Sequence, residues 1–113
     1  MEFAAKQTIP NSTITYAISP EIKQYTLLDL GFEKTKAGNF KYSGSLDRQN
    51  PFQPAAKLNL MVNADLTGFK LSLVNATGMK PVNIFKLTRA DEFKTQLDFI
   101  MAEMVDRGIF VQA

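Results

Sequence analysis

An α+β fold, with antiparallel hairpins packed on one long C-terminal amphipathic helix, is predicted from two patterns in the 113-residue sequence. Over residues 57–73, apolar and polar side chains alternate with a period of two on either side of a turn, as in a hairpin with one buried face. Over residues 88–107, apolar side chains recur at steps of three and four, as in a helix with one buried stripe. No linker, internal repeat or low-complexity segment divides the chain, so residues 1–113 are expected to form a single domain.

Residues 2–9, beginning at Glu2, are strand-like. Pro10-Asn11-Ser12 then turns the chain into a second β-branched and aromatic run at 13–18, which makes an N-terminal hairpin. One or two helical turns are predicted within 20–30. Ser19-Pro20-Glu21 offers a start with proline at the first helical position, and Thr26 with Asp29 offers a second start in capping-box form. Gly31 suits a left-handed C-terminal position. Residues 32–36 and 40–46 flank Ala37-Gly38-Asn39, a hairpin signal, and Phe40, Tyr42 and Leu46 alternate there with Lys41, Ser43 and Ser45. Residues 47–56 form a polar connection containing Pro51 and Pro54.

In the next hairpin Leu58, Leu60, Val62 and Ala64 alternate with Lys57, Asn59, Met61 and Asn63. Beyond Asp65-Leu66-Thr67-Gly68, Phe69, Leu71 and Leu73 alternate with Lys70 and Ser72. A slip of one residue would expose every leucine, so the register is strongly specified. A turn at 75–78 leads to a further strand near 82–86. The long helix is expected to begin with Thr88 as N-cap and Asp91 reaching back to it. Phe93, Leu97, Ile100, Met101 and Met104 form its apolar stripe. Asp91 and Glu92 suit its positive end, Arg107 its negative end, and Gly108 its stop. Residues 109–111 follow as a short edge strand or a packed tail.

With 45% hydrophobic residues, nine phenylalanines and 21% charged residues, the chain can bury an ordinary core and has no compositional case for disorder. The net charge of +2 gives no strong pull toward nucleic acid or acidic lipid. The charges are uneven, however. Residues 1–90 carry eleven Lys or Arg against six Asp or Glu, and residues 91–113 carry two against five. The expected sheet is basic and the expected helix acidic, either as plain solvated faces or as a means of helix-to-sheet association between copies.

Cys, His and Trp are absent. There is accordingly no disulfide framework, no Ser-His-Asp or Cys-His nucleophile and no standard structural zinc site. The six glycines are scattered through turns rather than gathered in a phosphate-binding loop. No catalytic residue, metal site or cofactor is recognised. Glu92 with Asp98, or Asp47 with Asp65, would act as an acid–base couple only if folding brought each pair together. No signal peptide follows Met1, and no stretch approaches the roughly 18 apolar residues of a membrane span, so a cytoplasmic location without a membrane partner is expected. The glycosylation-like triplets Asn11-Ser12-Thr13 and Asn75-Ala76-Thr77 read as turns.

Asn59, Met61 and Asn63, with Ser72 on the neighbouring strand, are the candidate ligand-binding residues. They put amides, a thioether and a hydroxyl on the expected solvent face, where plain exposure favours Lys, Glu and Thr. Such uncharged groups are either structural or orient a small molecule by hydrogen bonds. Phe99 falls about 120° off the helix stripe and either meets the C-terminal tail or marks a partner surface, for instance of a homodimer. Lys34, Lys36 and Lys41 surround the Ala37-Gly38-Asn39 turn beside Phe40 and Tyr42. Aromatics turned outward would make this a nucleic-acid contact, and aromatics turned inward a lysine-protected hairpin. No RNA-recognition signature accompanies it, and no nucleic-acid partner is expected. Asn50-Pro51-Phe52 has the form of a short linear motif, but Asn-Pro is first a turn initiator.

The stretch Tyr25-Thr26-Leu27-Leu28-Asp29-Leu30-Gly31-Phe32-Glu33-Lys34-Thr35-Lys36-Ala37-Gly38-Asn39-Phe40 resembles the signature of a small uncharacterised family. That family comes from lactic-acid and related Gram-positive bacteria and is assigned to amino-acid metabolism. The similarity extends over nearly the whole chain. It implies an α+β fold with two sheets around a single main helix, which weighs against a second helix at 20–30. It further implies remote fold similarity to bacterial S-adenosylmethionine decarboxylases. Those enzymes make a pyruvoyl group from an internal Ser and use His and Cys for processing and proton transfer. With neither present, no functional residue carries over. The expected function is a non-catalytic small-molecule-binding or regulatory domain linked to amino-acid metabolism. The alternative is a protein-interaction or homodimeric assembly module.

Overall fold

A computed structural model describes residues 3–50 and 52–113. Glu2, at the start of the expected first strand, and Pro51, in the polar connection and the Asn50-Pro51-Phe52 triplet, lie outside the described residues. The N-terminal hairpin forms from β1 (Lys6–Thr8) and β2 (Thr15–Ile18), antiparallel with Lys6 opposite Ala17. Asn11, at φ 64°, turns the chain between them. A short helix, α1 (Gln24–Asp29), follows. It starts at neither expected position. Ser19 instead closes a turn in which its Oγ accepts the Glu21 N–H, and its own N–H donates to Ile109 O. The second helix is therefore present, although it is short.

A four-stranded antiparallel sheet comes next, in the order β3 (Glu33–Lys34), β4 (Phe40–Ser45), β5 (Lys57–Val62) and β6 (Phe69–Val74). Its register gives one face the rows Phe40–Val62–Phe69 and Tyr42–Leu60–Leu71, and all of these except half-buried Tyr42 are at most 1% exposed. The strand expected near 82–86 is instead a 3-10 turn at Ile84–Lys86. Pro81 bridges Val74 with the Val82 N–H on Leu73 O, and there the pairing stops, because Asn83 Oδ1 accepts the Phe85 N–H to begin the turn. That turn drops Ile84 into the core.

The long helix α2 (Ala90–Asp106) buries Phe93, Leu97, Ile100, Met101 and Met104 in the same core as the sheet leucines. Thr88 is not its N-cap: the cap position is Arg89, with no side-chain capping bond. A long-range interaction displaces the local capping box here. Buried Asp47, 1% exposed, accepts hydrogen bonds from Arg89 Nη2 and from the backbone N–H groups of Gln49, Asn50 and Ala55. Arg89 also forks onto Glu92, with two bonds of 3.0 Å. The start of α2 is thus set where Arg89 reaches Asp47.

Both helices end alike. Gly108, at φ 77°, takes the left-handed position after α2, with the Ile109 N–H on Met104 O and the Gly108 N–H on Val105 O. Gly31, at φ 99°, does the same after α1, with the Phe32 N–H on Leu27 O. These are Schellman closures, and each sends the next apolar residue, Ile109 or Phe32, back into the core. Beyond Gly108 the chain forms β7 (Phe110–Gln112), which pairs with β2 to complete a three-stranded sheet ordered β1-β2-β7. Phe110 meets Phe69 with ring centroids 4.5 Å apart, and Ala4 bridges Phe69, so the two sheets share one core.

Replacing Gly108 with Ala should destabilise the protein by about 1–2 kcal/mol in urea unfolding, because the added Cβ meets no neighbour and the cost lies in the left-handed backbone alone. Hydrogen bonds from Arg89 first, then from the Ala55 and Gln49 backbones, hold the Asp47 carboxyl well below the usual carboxylate range. A lowered native pKa adds stability that is complete above the unfolded value near 3.9 and lost as pH falls through the native one. Unfolding free energy should therefore fall steeply between about pH 4 and pH 2. In Asp47→Asn it should be lower at neutral pH and flatter over that interval.

Candidate functional site

The register that buries the leucines of β5 and β6 puts their alternate residues on the opposite face of the sheet. There Lys41, Met61 and Lys70 lie side by side across β4, β5 and β6. The next row is Ser43, Asn59 and Ser72, and beyond it lie Ser45, Lys57 and Val74. Direct cross-strand neighbours have Cβ atoms about 4.5–5.5 Å apart, so each row is contiguous, and the Ser43–Asn59–Ser72 row is polar throughout. Lys41, Asn59, Leu60, Met61, Lys70 and Ser72 line a concavity of about 200 Å³ on this face. The 75–78 turn leans over its edge, where a Cβ on Gly78 would stand 3.9 Å from Asn59 Nδ2 and from Lys57 Cε.

Three of the four candidate ligand residues, Asn59, Met61 and Ser72, thus come together. Asn63 does not. Its Oδ1 accepts the Thr67 and Gly68 N–H groups at 2.9 and 3.1 Å, and its Nδ2 donates to Thr67 Oγ1, so its amide is committed to the 63–68 turn. Periodicity alone missed Lys41 and Lys70. They join the site because they face Met61 in register, which a single strand's pattern cannot reveal.

Asn59 differs from the other asparagines that shape this chain. The side-chain oxygens of Asn39, Asn63, Asn75 and Asn83 each accept from a backbone N–H in a turn or cap. Asn59 Oδ1 is buried with no hydrogen-bond partner among the described residues. An unsatisfied buried acceptor costs about 1–3 kcal/mol. The cations around it are sparsely neutralised. Lys70 Nζ lies 4.4 Å from the centroid of the Phe3 ring, and Lys41, Lys57 and Lys70 make no ion pair among the described residues.

Other features are accounted for by structure. Asp47 and Glu92 share Arg89, and Asp98 pairs with Lys94 at 2.8 Å, so each of these carboxylates already has a cation. Phe40 is fully buried and Tyr42 packs on Phe32 at 5.2 Å, so the lysine-rich hairpin does not present Phe40 for stacking. Met101 and Met104 are core residues. A larger groove of about 450 Å³ between α2 and β2 is lined by Ile14, Tyr16, Asp98, Val105 and Gln112 among others. Burial, with Asp98 nearby, raises the Tyr16 hydroxyl above its ordinary pKa. No unpartnered buried polar atom lies in that groove among the described residues.

Phe99 does not meet the C-terminal tail, which pairs with β2. It is 63% exposed and borders a groove of about 300 Å³ with Leu30, Tyr42, Ile100, Glu103 and Met104. No group of three or more acidic residues that could hold a metal occurs among the described residues, and no helix there is long and apolar enough to cross a membrane.

Two antiparallel sheets and one long C-terminal helix around a shared core define an α+β protein whose one sheet turns an open polar face outward. The chain belongs to the DUF1831 family, whose model, described as "Putative amino acid metabolism", matches residues 1–111. No curated protein matches it. Among solved structures it is similar to a DUF1831 family protein from Lactobacillus plantarum, with a TM-score of 0.91 and 42% identity over 100% of this chain and 99% of that one.

Replacing Asn59 with Val should raise the stability of the ligand-free protein by about 1 kcal/mol in chemical unfolding, since it removes the unpaired acceptor and adds a β-branched side chain to a central strand. A loss of stability would mean that Asn59 is a structural residue.

Proposed function

We propose that this protein is a cytoplasmic, non-catalytic small-molecule-binding or regulatory domain linked to amino-acid metabolism. Its ligand rests on the polar face of β4, β5 and β6, over Asn59, Met61 and Ser72. The observation that carries this reading is the buried, unpartnered Asn59 carbonyl beside a concavity lined by two lysines. Native proteins pair their buried polar atoms, and an exception in an inner strand of a sheet calls for a reason beyond folding. The family's description supports the metabolic setting.

A thermal-shift screen of amino acids, S-adenosylmethionine and other small metabolites tests the reading. A ligand at a hundred times its Kd stabilises the folded state by about 2.7 kcal/mol, which for a domain of this size is a rise of roughly 10 °C. The shift should disappear in Asn59→Val. Absence of stabilisation by every compound at millimolar concentration would sink the proposal.

The exposed Phe99 supports a second reading, a homodimeric assembly module in which two copies bury the groove beside Leu30 and Tyr42. Light scattering across a concentration series decides it: a dimer that Phe99→Asp converts to monomer supports it, and a monomer at every concentration removes it.

A further inference from the structure

We propose that the groove between α2 and β2 is a second ligand site, one that takes a linear aliphatic diamine. One ammonium rests between Tyr16 Oη and Asp98, the other rests on Asp106, and the chain lies against Ala102 and Val105. The site is separate from the polar sheet face and does not rest on that reading.

Tyr16 is the first observation. It is only 6% exposed, yet its hydroxyl makes no hydrogen bond among the described residues. Unlike Asn59 Oδ1, this oxygen is not sealed off by protein, and because Tyr16 lines the groove the hydroxyl opens into it. Burial first, and the charge of Asp98 second, keep the hydroxyl protonated, so its neutral oxygen is free to accept. Asp98 is close enough to be felt but makes no hydrogen bond with Tyr16, so a gap separates the two groups. Lys94 occupies Asp98 Oδ2 at 2.8 Å, and the other carboxylate oxygen has no partner among the described residues.

The helix supplies the rest. Asp98, Ala102, Val105 and Asp106 stand at positions i, i+4, i+7 and i+8, on one face of α2. Eight helical residues set the two acids about 12 Å apart along the axis. Asp106 makes no ion pair among the described residues. It stands at the negative end of α2, whose last turn holds no basic residue, so the field there favours a cation. Between the acids, Ala102 leaves room and Val105, 36% exposed, offers an apolar wall for methylenes.

These groups select among ligands. No Lys or Arg lines the groove, so an anion finds no partner there. Acids more than two helical turns apart cannot share one metal ion. A single ammonium answers one end and leaves the other carboxylate bare. A chain with a cation at each end answers both, and a groove of about 450 Å³ is of the size that small ligands fill.

The test is amide-resolved NMR titration of the whole protein with α,ω-diaminoalkanes of increasing length, beside the matched monoamines and diols. Saturable shifts at Tyr16, Ala102, Val105 and Gln112, an optimum chain length, and monoamines and diols at least about tenfold weaker support the proposal. Tyr16→Phe should weaken the best diamine about fivefold with unchanged melting, because the lost hydroxyl bonds nothing in the free protein. Asp106→Asn should weaken it about tenfold and melt no lower, since a negative charge leaves the negative end of the helix. Monoamines that bind as tightly as any diamine would overturn the two-ended ligand. Full affinity in both variants would overturn the site. Shifts confined to residues around Asn59, Met61 and Ser72 would also overturn it, and would support the sheet face instead. Silence toward every diamine would overturn this inference and leave the function proposed above standing.

Discussion

Leu58 faces Leu73, Leu60 faces Leu71 and Val62 faces Phe69, and every one of these side chains is buried in the core that α2 completes. Because strand side chains alternate strictly, this one register decides both faces of the sheet. With the leucines inward, Lys41, Met61 and Lys70 must form a row outside, and Ser43, Asn59 and Ser72 must form the next. A slip of one residue would bury Asn59 and two lysines and expose the leucines, at a cost far beyond a domain's net stability. Core and candidate site are therefore two consequences of one hydrogen-bond ladder.

The helix that closes this core is held at both ends by interactions of different kinds. At its start Asp47, 42 residues before Arg89 in the chain, gathers Arg89 and three backbone N–H groups from the 47–55 connection. That single carboxylate organises a proline-containing loop and fixes where the helix begins. At the far end, closure is purely local: a glycine in a left-handed conformation redirects Ile109 inward and lets Phe110 reach Phe69. The same device after α1 delivers Phe32 to the core. Two glycines thereby convert two helix ends into sheet beginnings.

Against this economy Asn59 is an exception. The asparagines at turns and caps spend their carbonyls on backbone N–H groups, whereas Asn59 sits mid-strand with its carbonyl unpaired. A sheet built for stability alone would place a β-branched residue there. The conflict between local preference and observed residue is concentrated at one position, next to unneutralised lysines, which is where a binding role would leave its trace.

Much of this was legible in the sequence. The period-two hairpin at 57–73, the stripe from Phe93 to Met104, and the stops at Gly31 and Gly108 are local patterns, and local patterns survive folding when nothing distant competes. Where distant partners intervened, local rules failed. Thr88 and Asp91 have the spacing of a capping box, yet Arg89 took the cap position, where it reaches Asp47 in the connection packed beside the helix start. Residues 82–86 are β-prone, yet pairing with β6 stopped at Val82, where Asn83 capped a 3-10 turn. Asn63 and Asn59 look alike in sequence, four residues apart on one face; only the turn beyond Val62 decided that one amide is consumed and the other left free. The sequence by itself determined which face of each element is apolar, since alternation and helical period are properties of a single segment. Only the tertiary structure decided which residues stand beside one another across strands, and so that Lys41 and Lys70 flank Met61, because pairing is a relation between segments that no one segment carries.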